Sequence, residues 1–150
     1  KQAGVAVSLT LSDMTMVENF RAEFDTLIYR GVDLLFCNED EARICTQSNN
    51  REDMVRILGQ RVSSFALTCG GDGAYVAGHN QPPSFIKASR VNPVDTTGAG
   101  DIFAGTFLYH LANGNSIDAA TQQAHRAAAL LVQKFGARLD NEDIGKLMLA

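Results

Sequence analysis

Two short runs, VDLLFC (Val32 to Cys37) and SSFALTC (Ser63 to Cys69), restrict the possible folds of this chain more than any other feature. Each is apolar at successive rather than alternate positions, so a strand made from it must be covered on both faces, as strands of a parallel sheet are. Gly4 to Leu11 has the same character. The segments between these runs read as helices. Val17, Phe20, Phe24, Leu27 and Ile28 fall at helical spacing, with Asp13 or Thr15 as cap and Gly31 as stop. Asn38 is placed to cap a second helix in NEDEARICTQ, and Arg51 to Arg61 fits a third. Strand, helix, strand, helix, helix, strand is the order of a parallel sheet with helical crossovers.

From Gly70 the pattern changes. GGDGAYVAGHN reads as a glycine turn leading into a strand with a polar tip, and QPPSFIKASRVNPV as extended, proline-punctuated chain. Two long helices follow, about Ala99 to Ala112 and Ser116 to Phe135, broken by Asn113, Gly114 and Asn115. In the second, Ile117, Ala120, Ala124, Ala127 and Leu131 share one face, and Asn141 to Ala150 reads as a last helix. There is no internal repeat and no low-complexity segment.

The composition narrows the partners. Of 150 residues 45% are hydrophobic and 20% charged, the balance of a globular domain with a real core. The net charge is −4 and the basic residues are scattered, so no stripe exists to neutralise a row of phosphates, and nucleic acid and acidic membrane surfaces are excluded as main partners. No window reaches the roughly 20 apolar residues of a membrane span, and the expected location is the cytoplasm. Cys37, Cys45 and Cys69 lack the spacing of a zinc site or a disulfide framework and read as small buried side chains. The chain opens on Lys1 immediately ahead of an apolar strand, whereas domains usually begin at a polar end, so it is expected to be part of a longer protein.

Three stretches could carry chemistry. In VDTTGAGD, Gly98 and Gly100 allow a sharp turn and leave amides uncovered where a helix starts, a natural cradle for an anion, and Asp101 follows in its first turn. Asp101 is then either a complement to the helix dipole or a base beside an oxyanion site. The motif is neither a Walker A loop, for no Lys follows Gly100, nor GxGxxG, for Phe103 stands at the third glycine position. LTCGGDG (Leu67 to Gly73) is a second glycine turn after a strand, a ligand position in a parallel sheet or simply a hairpin turn. CNEDEA places Asn38 and Glu41 after another strand, either as a solvated helix start or as anchors for Mg²⁺ through water. A parallel sheet would gather all three along one rim.

Together these residues resemble the ribokinase-like, or PfkB, family of carbohydrate and nucleoside kinases. VDTTGAGDIFAGTFL is similar to its C-terminal signature, NEDEA to its NxxE element and TCGGDG to its TxGxxG element, in the family's order. AHRAAALLVQKFGA (Ala124 to Ala137) is similar to the helix and loop that flank the nucleotide base, and VSLTLSD, VDLLFCNEDEA and His125 lean toward adenosine kinases. The resemblance implies a three-layer α/β/α fold with a mostly parallel sheet, of which residues 1–150 would be the C-terminal portion, and ATP-dependent phosphorylation of a sugar or nucleoside hydroxyl. It makes Asp101 the base, the amides of Gly98, Ala99 and Gly100 the anion hole, and Asn38 and Glu41 the holders of the Mg²⁺ and water network. Thr68, Gly70 and Gly73 would line the ATP phosphates and ribose, with His125 near the adenine. Asp95 and Thr97 would offer backbone carbonyls to a monovalent cation, K⁺ in ribokinases.

The family's glycine-pair motif, most of its acceptor-binding residues and its small β lid match nothing here. The expected partners are therefore ATP, a sugar or nucleoside acceptor and the N-terminal part of the same protein, with a homodimer left open. A nucleotide-binding fragment or regulatory module without turnover is the competing reading. A dinucleotide-binding oxidoreductase would need a GxGxxG after a first strand, and there is none.

Overall fold

The computed structural model describes residues 4–148; the expected helical positions 149 and 150, and Lys1, lie outside them. A five-stranded sheet has the order β1 (Ser8–Thr10), β2 (Leu34–Asn38), β3 (Ser64–Thr68), β4 (Gly73–Ala77) and β5 (Ser84–Lys87). β1 pairs with β2 and β2 with β3 in parallel. β4 and β5 form a hairpin, for Ala88 N donates to Asp72 O at its open end and the Tyr75 and Phe85 rings meet at 4.6 Å further along. The sheet is thus mixed: its parallel part is built as expected, the glycine turn leads into β4 as read, and part of the stretch read as extended chain forms β5.

The chain divides into two compact units: the segment up to Cys69 with Tyr75–Phe85, and Gly70–Ala74 with the segment from Ile86 onward. The core of the first closes on Leu35, Phe65, Leu67 and Leu58, all fully buried. α3 (Glu39–Thr46) and α4 (Arg51–Arg61) pack on β2 and β3 and supply Ala42, Cys45, Met54 and Leu58 to it. Asn50 caps α4 by accepting from Glu52 N and Asp53 N. The three cysteines are free and buried, and burial pushes the thiols of Cys37 and Cys45 up, which makes them packing groups rather than nucleophiles.

Two expectations in this unit need correction. Gly4 to Leu11 is not a strand covered on both faces: the strand is Ser8–Thr10, at the sheet's edge with Val7 and Leu11 also bonded toward β2, and Val5 and Val7 are 64% and 41% exposed. An edge strand has one neighbour, and apolar composition alone cannot say whether a second is there. The helix read over residues 13 to 31 is two, α1 (Met14–Asn19) and α2 (Arg21–Gly31), broken at Phe20 with φ −122° and ψ 32°. Asp13, not Thr15, is the first cap, its Oδ1 accepting from Thr15 N and Met16 N. Val17 and Ile28 are buried, but Phe20 and Leu27 are not, because the break turns the two apolar faces apart.

In the second unit α5 (Ala99–Ala112) and α6 (Ile117–Leu131) pack together, Phe103 and Phe107 against Ala120, Ala124 and Ala127. Small residues on α6 let the two helices approach. α6 ends at Leu131 rather than at Phe135, since Gly136 takes φ 100° and Phe135 points to solvent. α7 (Asn141–Met148) follows and contacts α6. Among the described residues, no helix is long and apolar enough to cross a membrane.

Replacing a fully buried core ring should be costly and replacing an exposed one should not. Phe65→Ala is expected to lower unfolding free energy by about 3–5 kcal/mol in urea titration, whereas Tyr29→Ala, at a side chain 92% exposed, should stay within about 0.5 kcal/mol of the parent.

Candidate active site

In the first unit, parallel pairing brings the carboxyl ends of β2 and β3 level, with Asn38 opposite Thr68 in register. Asn38 is extended at φ −94° and ψ 177° and closes a capping box with Glu41. Its Oδ1 accepts from Glu41 N at 2.9 Å, while its backbone N and Nδ2 each donate to one Glu41 carboxylate oxygen at 3.0 Å. Glu41 is only 5% exposed, and burial raises its carboxyl above the usual range even though the Asn38 amide opposes that. Thr68 Oγ1 donates to Cys37 O at 3.4 Å. Asn38, Glu41 and Thr68 are therefore one cluster. Both oxygens of Glu41 are already engaged by Asn38, and no group of three or more His, Cys, Asp or Glu among the described residues could hold a metal ion, so the donor set suits a metal's water rather than the metal itself.

In the second unit, Gly70 opens a single 3-10 turn (Gly70–Asp72) with φ 55°, and Gly73 begins β4 with φ 141°. Backbone in that region favours glycine, and the Asp72 carboxylate fixes the turn by accepting from Arg90 at 2.8 Å.

The expected glycine turn stands at the start of α5. Gly98 caps the helix in the left-handed region, with φ 79° and no side-chain bond to the helix start, and a side chain at Gly100 would meet only open space. The Ala99 amide turns back to Thr96 O at 3.1 Å, and no side chain caps the amides that follow it in this 14-residue helix. Asp101 is exposed in the first turn, and its carboxylate has no hydrogen-bond or ion-pair partner among the described residues. Asp13 and Asn50 show what caps do here: each accepts backbone N–H bonds at its helix start. Asp101 does not, which separates it from a capping role.

The loop before the cradle is tied down. Asp95 Oδ1 accepts from Thr97 N at 2.9 Å and Oδ2 from Gly136 N at 3.0 Å, and these two bonds, the Gly136 one foremost, hold its carboxyl below the usual range. Sequence reasoning gave Asp95 only its backbone carbonyl and missed this use of the side chain; its one local signal was an Asp two residues before Thr97, the spacing of an Asx turn.

His125 lies on α6 with its ring 5.2 Å from that of Phe103 and its Nε2 3.2 Å from Ile86 O. Burial lowers its pKa, opposed by that bond. It also lines a groove of about 420 Å³, with Gln122 and Arg126 of the same helix, Gln133 just past its end, and Lys87, Ser89 and Leu147 from elsewhere in the unit. Arg126 and Gln133 fall in the stretch that resembles the base-flanking helix and loop, whereas Lys87 and Ser89 had no sequence signal, because they reach α6 only through the fold.

The profile of the pfkB family of carbohydrate kinases matches residues 1–144. The ribokinase of Staphylococcus aureus (strain COL) is 31% identical over 114 residues, 71% of this chain and 37% of its own. Among solved structures, a probable sugar kinase from Rhizobium etli CFN 42 superposes with a TM-score of 0.91 at 31% identity, covering 99% of this chain and 45% of its own. The adenosine kinase from Sinorhizobium meliloti gives 0.90 at 28%, covering 99% and 46%. The chain spans less than half the length of each of these relatives.

Because burial disfavours the charged imidazole of His125, its contribution to stability is present above the unfolded value of 6.5 and is lost as pH falls through the lower folded value. Urea titrations across this range should show the fall, and His125→Gln should flatten it; an unchanged slope would remove His125 as its source.

Proposed function

The chain belongs to the pfkB family of carbohydrate kinases, and from that membership we propose that it carries the ATP side and the catalytic base of a phosphotransferase moving the γ-phosphoryl group of ATP to a hydroxyl of a sugar or nucleoside. The observation that carries this reading is the start of α5, where a helix start without a side-chain cap stands beside the Asp101 carboxylate, which has no partner among the described residues.

Asp101 accepts the proton of the acceptor hydroxyl as the oxygen attacks phosphorus. A weak base suffices, since in a loose transition state positioning matters more than full deprotonation. The amides of Gly98, Ala99 and Gly100 stabilise the charge on the moving group, with the dipole of α5 behind them. Thr68, Gly70 and Gly73 run beside the phosphates and ribose, and the groove at His125 takes the base. Asn38 and Glu41 orient water on the phosphate side. Mg²⁺, when bound with ATP, neutralises phosphate charge. The carboxylate of Asp95 being engaged by two amides, Asp95 and Thr97 would serve a monovalent cation such as K⁺ through their carbonyls.

The acceptor pocket is assigned to a portion of a longer polypeptide. The exposed apolar residues beside edge strand β1, Val5 and Val7 among them, offer it a surface, and a second copy of the chain is the other candidate occupant. Drawing on ATP, the enzyme would work in the cytoplasm. A second reading, a nucleotide-binding piece without turnover, is favoured by one observation: the chain's coverage of its relatives stays below half.

Titrating the chain with ATP and Mg²⁺, and assaying it with a panel of sugars and nucleosides, separates the two readings: binding without product supports the second. In the full-length protein Asp101→Ala should lower kcat by about 10²–10⁴-fold with ATP affinity held within about threefold. Retained kcat would remove Asp101 as the base.

A further inference from the structure

We propose that Asp95 is a positioning residue: its carboxylate straps the loop that carries the glycine amides, residues 95–98, to the segment that follows α6, residues 132–137, and so holds the anion cradle in its working geometry. The proposal rests on the phosphotransferase reading and deepens it.

The cradle cannot hold itself. Gly98 has no side chain, its φ of 79° lies where glycine is freest, and no side-chain bond caps the helix it starts. What fixes it must come from elsewhere in the unit, and four contacts converge on one short segment. Val94 N and Asp95 N both donate to Val132 O, at 2.6 and 3.2 Å. Asp95 Oδ2 accepts from Gly136 N, while Oδ1 accepts from Thr97 N and folds the carboxylate back over its own loop. The seam is also tight. A Cβ built on Gly98 would stand 2.9 Å from Ala137 Cβ and 3.0 Å from its carbonyl oxygen, so the two backbones touch there.

Among these contacts the carboxylate is the only side chain that bonds both loops. Its two oxygens take one amide from each side, charge-assisted bonds roughly twice as strong as neutral ones. Between the two segments, removing it leaves the Val132 bonds at one end and only contact at Gly98; the Ala99 N bond to Thr96 O and the Ile102 N bond to Gly98 O stay within the loop and its helix and do not tie it to residues 132–137. A shift there moves the amides of Ala99 and Gly100 with it. Misplacement by an ångström can lower a rate by about 100-fold.

The test uses the full-length enzyme with Asp95→Ala, which loses both bonds, and Asp95→Asn, whose single carbonyl oxygen can keep one. Amide hydrogen exchange, read by mass spectrometry on peptides covering 95–102 and 132–138, should rise in both segments together in Asp95→Ala by about tenfold or more, with peptides from β2 and β3 unchanged. At saturating K⁺, kcat should fall by about 10–100-fold while KM for the acceptor stays within about threefold, and Asp95→Asn should lie between. Exchange in 132–138 that stays at the parent's level overturns the strap. Loosened exchange with an unchanged kcat overturns the positioning role. Should Asp95→Ala not fold, the same two criteria apply to Asp95→Asn. If the parent enzyme transfers no phosphoryl group, the kinase reading fails, and with it the positioning role, while the exchange experiment still decides whether the strap exists.

Discussion

The parallel pairing of β2 with β3 is the constraint from which the first unit follows. Leu35, Phe36 and Cys37 are closed on both faces of the sheet, and the partners Phe65, Ala66 and Leu67 are as deeply buried. Strands that run the same way cannot be joined by a short turn, so α3 and α4 must carry the chain back, and they bring the apolar residues that cover one face. The same direction makes both strands end at one level. Asn38 and Thr68 stand side by side for that reason, each followed at once by a change of conformation: a capped helix after Asn38, a glycine turn after Thr68. Polar groups collect at the carboxyl ends because the strands themselves have no room for them.

That logic also explains what could be read from the sequence and what could not. The buried strands announced themselves by unbroken apolar runs, and α4, α5 and the start of α6 by caps and spacing. Residues 4 to 11 misled because β-branched composition reports a preference for extended chain and says nothing about how many neighbours a strand has. Phe20 misled in another way: helical spacing continues across it, but the backbone does not. The glycine helix start at Gly98 and the helix cap at Asn38 were legible because turns and caps are local. The role of the Asp95 side chain was not, since its partner Gly136 lies 41 residues away. For the same reason the groove at His125 could not be drawn from α6 alone, Lys87 and Ser89 arriving from the end of β5.

Capping box and cradle show opposite uses of a helix start. At α3, Asn38 and Glu41 satisfy one another's helix-start groups: the buried carboxyl of Glu41 accepts two hydrogen bonds from Asn38, and Glu41 N donates to Asn38 Oδ1. Such an end is finished. At α5 the glycine cap gives the helix no side-chain acceptor, and orphan amides at a helix start are satisfied by water or by an anion.

An open helix start is stable only if the loop before it is held by something other than the cap. A capping side chain would fix the loop and cover the amides in one stroke, so the proposed function, which needs that position empty, requires the two tasks to be separate. Here the separation is visible in two aspartates six residues apart. Asp95 spends both oxygens on backbone amides and keeps none for a substrate, whereas Asp101 makes no such bond and faces solvent. Exchanging their roles would fail on geometry alone. On the proposed reading, a carboxylate turned back onto the amides at the start of α5 would occupy the space of a phosphoryl group with like charge, and a loop without Asp95 would keep, across the seam, only the Val132 bonds and the contact of Gly98 with Ala137.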